Sequence, residues 1–257
     1  MPEDAQCLPA ALARALPLLR TAPEAPDVSR GYLDLLGGQD DAAPGPVQAL
    51  WESRIGAGLY APATALLRRL LTFTRLPDSV ARLPAAGRAL DVGCGPGDVT
   101  AALGRAAGPN GLALGVDISV PMLQRAVGKQ ADNVGFLRAD AQRLPFHEAG
   151  FDLVTCLAAL QLVPAPARVL TEMARVLAPG GHLVLMIPTV RGGLIDRVAH
   201  RVGHRAGLQF FDPDRLAEDL HSRGIATVHT HRHGPLLWVL AGKASRAAPP
   251  PARRTPP

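Results

Sequence analysis

The chain has 257 residues, with 27 Lys and Arg against 22 Asp and Glu, a formal net charge of +5, and 47% hydrophobic residues. That is a globular composition with enough apolar side chain for a substantial core, in one decorated domain or two small ones, and it excludes a disordered chain. All of the basic residues except Lys129 and Lys243 are arginine, spread along the sequence with no one-sided block, so no nucleic-acid partner is expected from charge.

Cys7, Cys94 and Cys156 are odd in number and far apart, which argues against a disulfide framework or a paired-cysteine metal motif and fits a reducing, cytoplasmic location. The apolar run over residues 8–19 is cut by arginine and proline, unlike a secretory signal, and no stretch reaches 18 uninterrupted apolar residues, so no transmembrane segment is expected.

In chain order, residues 1–84 read as an N-terminal helical extension. Its first 45 residues are broken by Pro9, Pro17, Pro23, Pro26, Gly37, Gly38, Pro44 and Gly45 and look loosely packed. Helical spacing strengthens over 46–56 and 62–73, where Trp51, Tyr60 and Phe73 read as core or lid contacts. From Arg88 onward short apolar runs alternate with helical stretches. Strands are expected at 89–92, 112–117, 134–137, 153–156 and 182–187, with helices near 99–107, 120–127 and 167–177. Asp212-Pro213 then reads as a helix start and Gly224 as its stop, followed by strands over 225–232 and 236–242 joined at His233-Gly234-Pro235. The pattern predicts an α/β fold: a doubly wound, mostly parallel sheet of seven strands, the last antiparallel. The domain boundaries are 85–244 for the sheet domain, with a helical cap at 189–211, and 245–257 for a disordered Pro/Ala/Arg tail.

The most informative segment is Asp91-Val-Gly-Cys-Gly-Pro-Gly97, between the first of these strands and a helix. Gly93, Gly95 and Gly97 permit a sharp turn and close backbone approach to a ligand, and the helix start offers N–H groups to an anionic end. The dinucleotide pattern G-x-G-x-x-G fails at its last position, which is Asp98, and that turns the reading away from a pyrophosphate ligand. Asp117 ends the second strand, where a carboxylate can accept from a ribose diol. Asp140 follows the third, where it can accept from an exocyclic amine. Each of the three acids could instead be a cap or turn residue, but Asp91, Asp117 and Asp140 in register with a triglycine loop form a more specific pattern.

On these residues the sequence resembles the class I S-adenosylmethionine-dependent methyltransferases, and within them the small-molecule enzymes of ubiquinone and menaquinone biosynthesis. The resemblance spans about residues 85–243 and rests on DVGCGPG (91–97), LGVDIS (114–119), ADAQRLPF (139–146), FDLV (151–154) and RVLAPGG (175–181). It implies S-adenosyl-L-methionine as cofactor, with Gly93, Gly95 and Gly97 cradling the methionine end and Asp117 holding the ribose. It also implies that Asp140 and Ala141 frame the adenine and that Cys156 and Leu157 floor the sulfonium. Asp91 and Cys94 belong to the same cofactor set, and Ile118 and Met122 offer apolar surface to the base. No metal is called for.

Relatives carry histidine shortly after the fourth strand, where this chain has Gln161. Glutamine cannot take a proton, so no catalytic residue is assigned. His200 and His204 fall in the cap, on a stretch with an apolar stripe of Leu194, Val198 and Val202, which reads either as a solvated basic face or as a cover over an apolar acceptor, with peripheral membrane contact through such a substrate. His229, His231 and His233 share one face of a strand and read as an exposed face rather than a metal site. The expected function is methyl transfer to a small, apolar acceptor such as a quinone, polyketide or lipid-like metabolite. The rival readings are a cofactor-binding regulatory or assembly protein and an RNA or protein methyltransferase. The Asn/Asp-Pro-Pro-Tyr signature of RNA modification is absent from 155–161.

Overall fold

A computed structural model describes residues 8–37, 83–188, 209–233 and 236–245. Residues 189–208 of the cap with His200 and His204, the helices expected at 46–56 and 62–73 with their aromatics, the turn at Gly234-Pro235, Cys7 and the tail from residue 246 lie outside the described residues.

The sheet is buried on both faces, and successive strand residues alternate between two apolar layers. Strands β2 (Arg88–Val92), β3 (Leu112–Asp117), β4 (Val134–Arg138), β5 (Phe151–Leu157) and β6 (Leu177–Pro188) run parallel. β7 (Ile225–His233) and β8 (Leu236–Lys243) form the expected hairpin, and β8 pairs antiparallel with β6. Leu90, Val92, Leu114, Val116, Val154 and Leu185 point into one apolar layer, while Ala89, Ala113, Leu153 and Val184 point into the other. The first layer is covered by α1 (Ala10–Ala15), α4 (Pro166–Val176) and α5 (Pro213–Ser222), the second by α2 (Asp98–Ala107) and α3 (Val120–Ala126). Asp212 caps α5 by accepting from the Asp214 and Arg215 N–H groups at 3.0 and 3.1 Å, and Leu216 and Leu220 are its buried face.

The fold class is as expected, but the sheet of the described residues has eight strands, not seven. The extra strand, β1 (Leu33–Asp34), pairs parallel with β4 at the sheet edge, giving the order β1-β4-β3-β2-β5-β6-β8-β7. Two residues are too few to display a period, so no apolar pattern marks this strand. The described part of the N-terminal extension is also not loose. Ala11, Leu12 and Ala15 are fully buried against β3 and β4, and Gly135 makes room for them: a Cβ there would meet Leu12 Cδ2 at 2.9 Å.

The order 4-3-2-5 means the chain leaves β2 in one direction and returns to β5 on its other side, which puts the crevice of a doubly wound sheet at the carboxyl ends of β2 and β5. One arginine fastens the opposite edge, where α4 runs into β6 and the chain enters β5. Arg175, on α4, donates to the Phe146 and Leu144 carbonyls at 2.7 and 3.0 Å and pairs with Glu172 at 2.8 Å. It thereby ties the segment after Asp140 to the helix. Arg175→Ala strands two half-buried carbonyls, and a cost of about 2 kcal/mol follows, read as a fall of roughly 4–8 °C in the thermal midpoint. Arg175→Lys should recover little of it, because an ammonium cannot span both carbonyls and the carboxylate.

Candidate functional site

The loop after β2 is built by three glycines with positive φ, at +69° for Gly93, +52° for Gly95 and +83° for Gly97. The Val116 carbonyl accepts from both the Gly93 and Cys94 N–H groups, at 2.8 and 3.0 Å, which turns the loop over the end of the neighbouring strand β3. A Cβ at Gly93 would lie 2.3 Å from Ala159 Cβ, and one at Gly97 would lie 2.7 Å from the Phe136 ring, so both positions require glycine for space as well as for φ. Gly97 is the N-cap of α2 and has no side chain, so the first-turn N–H groups of α2 have no N-cap side chain to donate to.

Asp117 joins this loop to the next strand end. One carboxylate oxygen accepts from the Gly95 N–H at 2.8 Å and the other from the Ser119 N–H at 2.9 Å. Ser119 Oγ, beside it, is buried with no hydrogen-bond partner among the described residues. Ile118 and Ala141 are half-buried, and Met122 is buried on the first turn of α3. Asp140, two residues past the end of β4, caps the short turn Ala141–Arg143 by accepting from the Gln142 N–H at 2.8 Å, so the turn-residue role is fulfilled at that site.

Asp91 sits elsewhere than the sequence reading placed it. It is 2% exposed and lies beneath the loop on the α2 side of the sheet, accepting from Thr100 Oγ1 and Thr155 Oγ1 at 2.8 Å each. Burial pushes its pKa up to about 6 against the pull of those two hydroxyls, and the charge of Asp117 pushes the same way. Cys94 and Cys156 are free and buried. Burial holds the Cys94 thiol well above its ordinary range and pushes Cys156 up to about 12, so neither is a thiolate nucleophile. Cys156 is 1% exposed and packs in the core, leaving half-buried Leu157 as the β5 residue nearer the surface.

After β5 the chain turns through Ala158, a non-glycine residue at φ +58°, whose N–H donates to the Met186 carbonyl at 2.8 Å. Gln161 is 7% exposed; its Nε2 donates to the Ala158 carbonyl at 2.7 Å, which leaves Oε1 buried without a partner among the described residues. The Gln161 carbonyl accepts from the Gln209 N–H at 2.8 Å, tying this turn to the far end of the 189–208 segment. No described group of three or more His, Cys, Asp or Glu could hold a metal ion, and His229 and His231 are exposed on edge strand β7. No described helix is long and apolar enough to cross a membrane.

The candidate residues thus fall on four neighbouring strand ends, in sheet order β4, β3, β2 and β5. Sequence reasoning missed Thr100 and Thr155, which hold Asp91, and Asp34 and Arg138, a buried ion pair behind Ile118. A threonine inside each of two otherwise apolar segments was the one available hint of the first pair. The second joins residues 104 positions apart and had none.

Residues 90–185 match the family model of a methyltransferase domain. Over 101 residues the chain is 46% identical to demethylmenaquinone methyltransferase of Staphylococcus aureus, a match covering 38% of this chain and 42% of that protein, so the chain spans about two-fifths of the length of the curated relatives it matches. Among solved structures, it is similar to phosphoethanolamine N-methyltransferase 2 of Haemonchus contortus in complex with phosphomonomethylethanolamine and S-adenosylhomocysteine. That likeness has a TM-score of 0.59 at 16% identity and covers 65% of this chain and 51% of the other. It is also similar to a SAM-dependent methyltransferase of Thermotoga maritima, with a TM-score of 0.58 at 21% identity over 76% of this chain and 98% of that one. The structural likenesses bear on the fold and the sequence match on the segment that carries the loop and the strand-end acids. Together they identify residues 90–185 as a methyltransferase domain, similar in sequence to a demethylmenaquinone methyltransferase and in fold to S-adenosylmethionine-dependent methyltransferases.

Proposed function

We propose that this chain transfers a methyl group from S-adenosylmethionine to a small, largely apolar acceptor. The observation that carries the reading is the glycine loop locked to Asp117, whose Gly93 and Gly97 pack so closely on Ala159 and Phe136 that no Cβ fits, with a buried Ser119 hydroxyl beside it that has no partner among the described residues. These residues fit the cofactor. The loop backbone and the uncapped start of α2 suit its carboxylate, Asp117 its ribose hydroxyls, and Asp140 the exocyclic amine of its base. Ile118, Met122 and Ala141 supply apolar surface to the base, and Leu157 lies toward the sulfonium. When bound, S-adenosylmethionine supplies a methyl group on a sulfonium, a leaving group that is already activated.

What remains for the protein is alignment and the exclusion of water. From Cys156 to Val163 the chain after β5 presents one polar side chain, Gln161, and no group that titrates near neutrality. That supports an acceptor whose nucleophilic atom needs no proton removed by this turn. The Ala158 carbonyl fixes the Gln161 amide with Nε2 inward, so its buried Oε1 suits a donor on the acceptor molecule. A quinone-type acceptor is consistent with the Staphylococcus aureus relative, whose name states a demethylmenaquinone substrate.

Two measurements test the cofactor site. Asp117→Ala removes the ribose acceptor and frees the Gly95 and Ser119 N–H groups. Its loss of about 2–3 kcal/mol should appear as a roughly 30- to 150-fold weaker dissociation constant for S-adenosylhomocysteine by titration calorimetry. Unchanged affinity in Asp117→Ala, or no binding by the wild type, overturns the reading. The second test is pH. With its pKa raised to about 6, Asp91 is held protonated more tightly by the folded protein than by the unfolded chain, so its ionisation costs stability as pH rises from about 4 through 6. A cationic ligand favours the ionised form, so affinity for S-adenosylmethionine should be full above pH 7 and fall toward pH 5. S-Adenosylhomocysteine, without the sulfonium charge, should fall less, and Asp91→Asn should flatten the difference between the two.

A further inference from the structure

We propose that the buried Asp34–Arg138 pair is a positioning device for the nucleoside half of the cofactor site, so that the N-terminal edge strand helps to set cofactor affinity. The inference rests on the cofactor reading above. Arg138 is the last residue of β4 and is 4% exposed. Its Nη1 lies 3.3 Å from Asp34 Oδ2 and donates to the Gly37 carbonyl at 2.9 Å, and its Nε donates to the Ile118 carbonyl at 3.3 Å. Asp34 Oδ1 meanwhile accepts from the Leu36 and Gly37 N–H groups at 3.0 Å each, and the Leu35 N–H donates to the Arg138 carbonyl at 3.1 Å.

The guanidinium is therefore shared between two segments, the turn after β1 and the bend after β3. That bend is Asp117-Ile118-Ser119, and Asp117 is the residue assigned to the ribose. A buried arginine on a strand flanked by Phe136 and Leu137 carries a desolvation cost that only paired, well-directed bonds offset, and here the pairing partner comes from β1. A guanidinium can hold a carboxylate and carbonyls on two sides at once because its donors are fixed in a plane. Asp34 thus orients Arg138, and Arg138 orients the Ile118 carbonyl and with it the direction of the Asp117 carboxylate. Neither touches the reacting atoms; both are positioning residues.

The test uses the full chain and S-adenosylhomocysteine as the probe, so no methyl acceptor is needed. Asp34→Asn and Arg138→Lys should each weaken binding about five- to twentyfold by titration calorimetry, the size of coupling that a residue behind a site exerts. Asp34→Glu should restore most of the affinity. Arg14→Ala is the control: Arg14 bonds the Asn110 carbonyl at 2.8 Å, another N-terminal contact, at the opposite end of β3 from Asp117. It should lower the thermal midpoint and leave the dissociation constant unchanged. Variants of Asp34 and Arg138 that melt earlier yet bind like the wild type would make the pair merely structural and overturn the inference, while leaving the cofactor reading intact. Failure of the wild type to bind overturns the cofactor reading itself and the inference with it.

Discussion

The Asp117 carboxylate is the interaction on which the ligand edge depends. Its two oxygens receive one N–H from the glycine loop and one from the bend before α3, at 2.8 and 2.9 Å. Two neighbouring strand ends therefore share one anionic centre. The loop needs this partner because its left-handed glycines turn the Gly95 N–H away from the backbone acceptor that Gly93 and Cys94 use, the Val116 carbonyl. A buried N–H without an acceptor costs about 1–3 kcal/mol, so the geometry of the loop and the presence of an acid at the end of β3 are one requirement rather than two. A site built this way is fixed before any ligand arrives, which is the condition for binding energy to go into alignment.

The same edge carries costs that the rest of the fold has to offset. Asp91 is buried with its pKa driven up to about 6, Ala158 stands at φ +58° without being glycine, and Gln161 Oε1 and Ser119 Oγ are buried without partners among the described residues. Each is unfavourable by itself, on the order of 1–3 kcal/mol for a strained residue or an orphaned polar group. Their gathering at the carboxyl ends of β2, β3 and β5 is what a functional crevice at the reversal point of a doubly wound sheet would produce. The two apolar layers beneath, with fully buried Phe136, Phe146 and Phe151 and strands lined by leucine and valine, provide the rigidity that keeps such groups in place.

The sequence made the central sheet legible because strands buried on both faces read as short, nearly unbroken apolar runs, and because caps such as Asp212-Pro213 act locally. The glycine loop and the strand-end positions of Asp117 and Asp140 were legible for the same reason: a turn and a strand terminus are short-range features. What the sequence could not convey was direction and distance. Asp91 was read as facing the ligand, but the pleat turns it under the loop toward Thr100 and Thr155, and nothing in a one-dimensional pattern marks which face a fully buried strand shows to which helix. Cys156 was likewise read as floor and is core. Strand β1 and the Asp34–Arg138 pair escaped because two residues show no periodicity and a contact across 104 positions leaves no local trace.

On the methyl-transfer reading, this arrangement divides labour between the two halves of the crevice. The cofactor half is electrostatic and dense in hydrogen bonds: Asp91 and Asp117 raise one another's negative potential, and both act on Cys94. A field of that sign favours a sulfonium in the ground state, and charge leaves the sulfur as the methyl group moves, so these acids promote binding more than the chemical step. Acceleration has to come from the other half, where the turn after β5 offers an amide and apolar side chains in place of a base. An amide neither gains nor loses a proton near neutrality, so its contribution is orientation, and it is the same at every pH at which Asp91 titrates. The pH dependence of such an enzyme would therefore sit in cofactor affinity, with the alignment of the acceptor left to shape and to one fixed hydrogen bond.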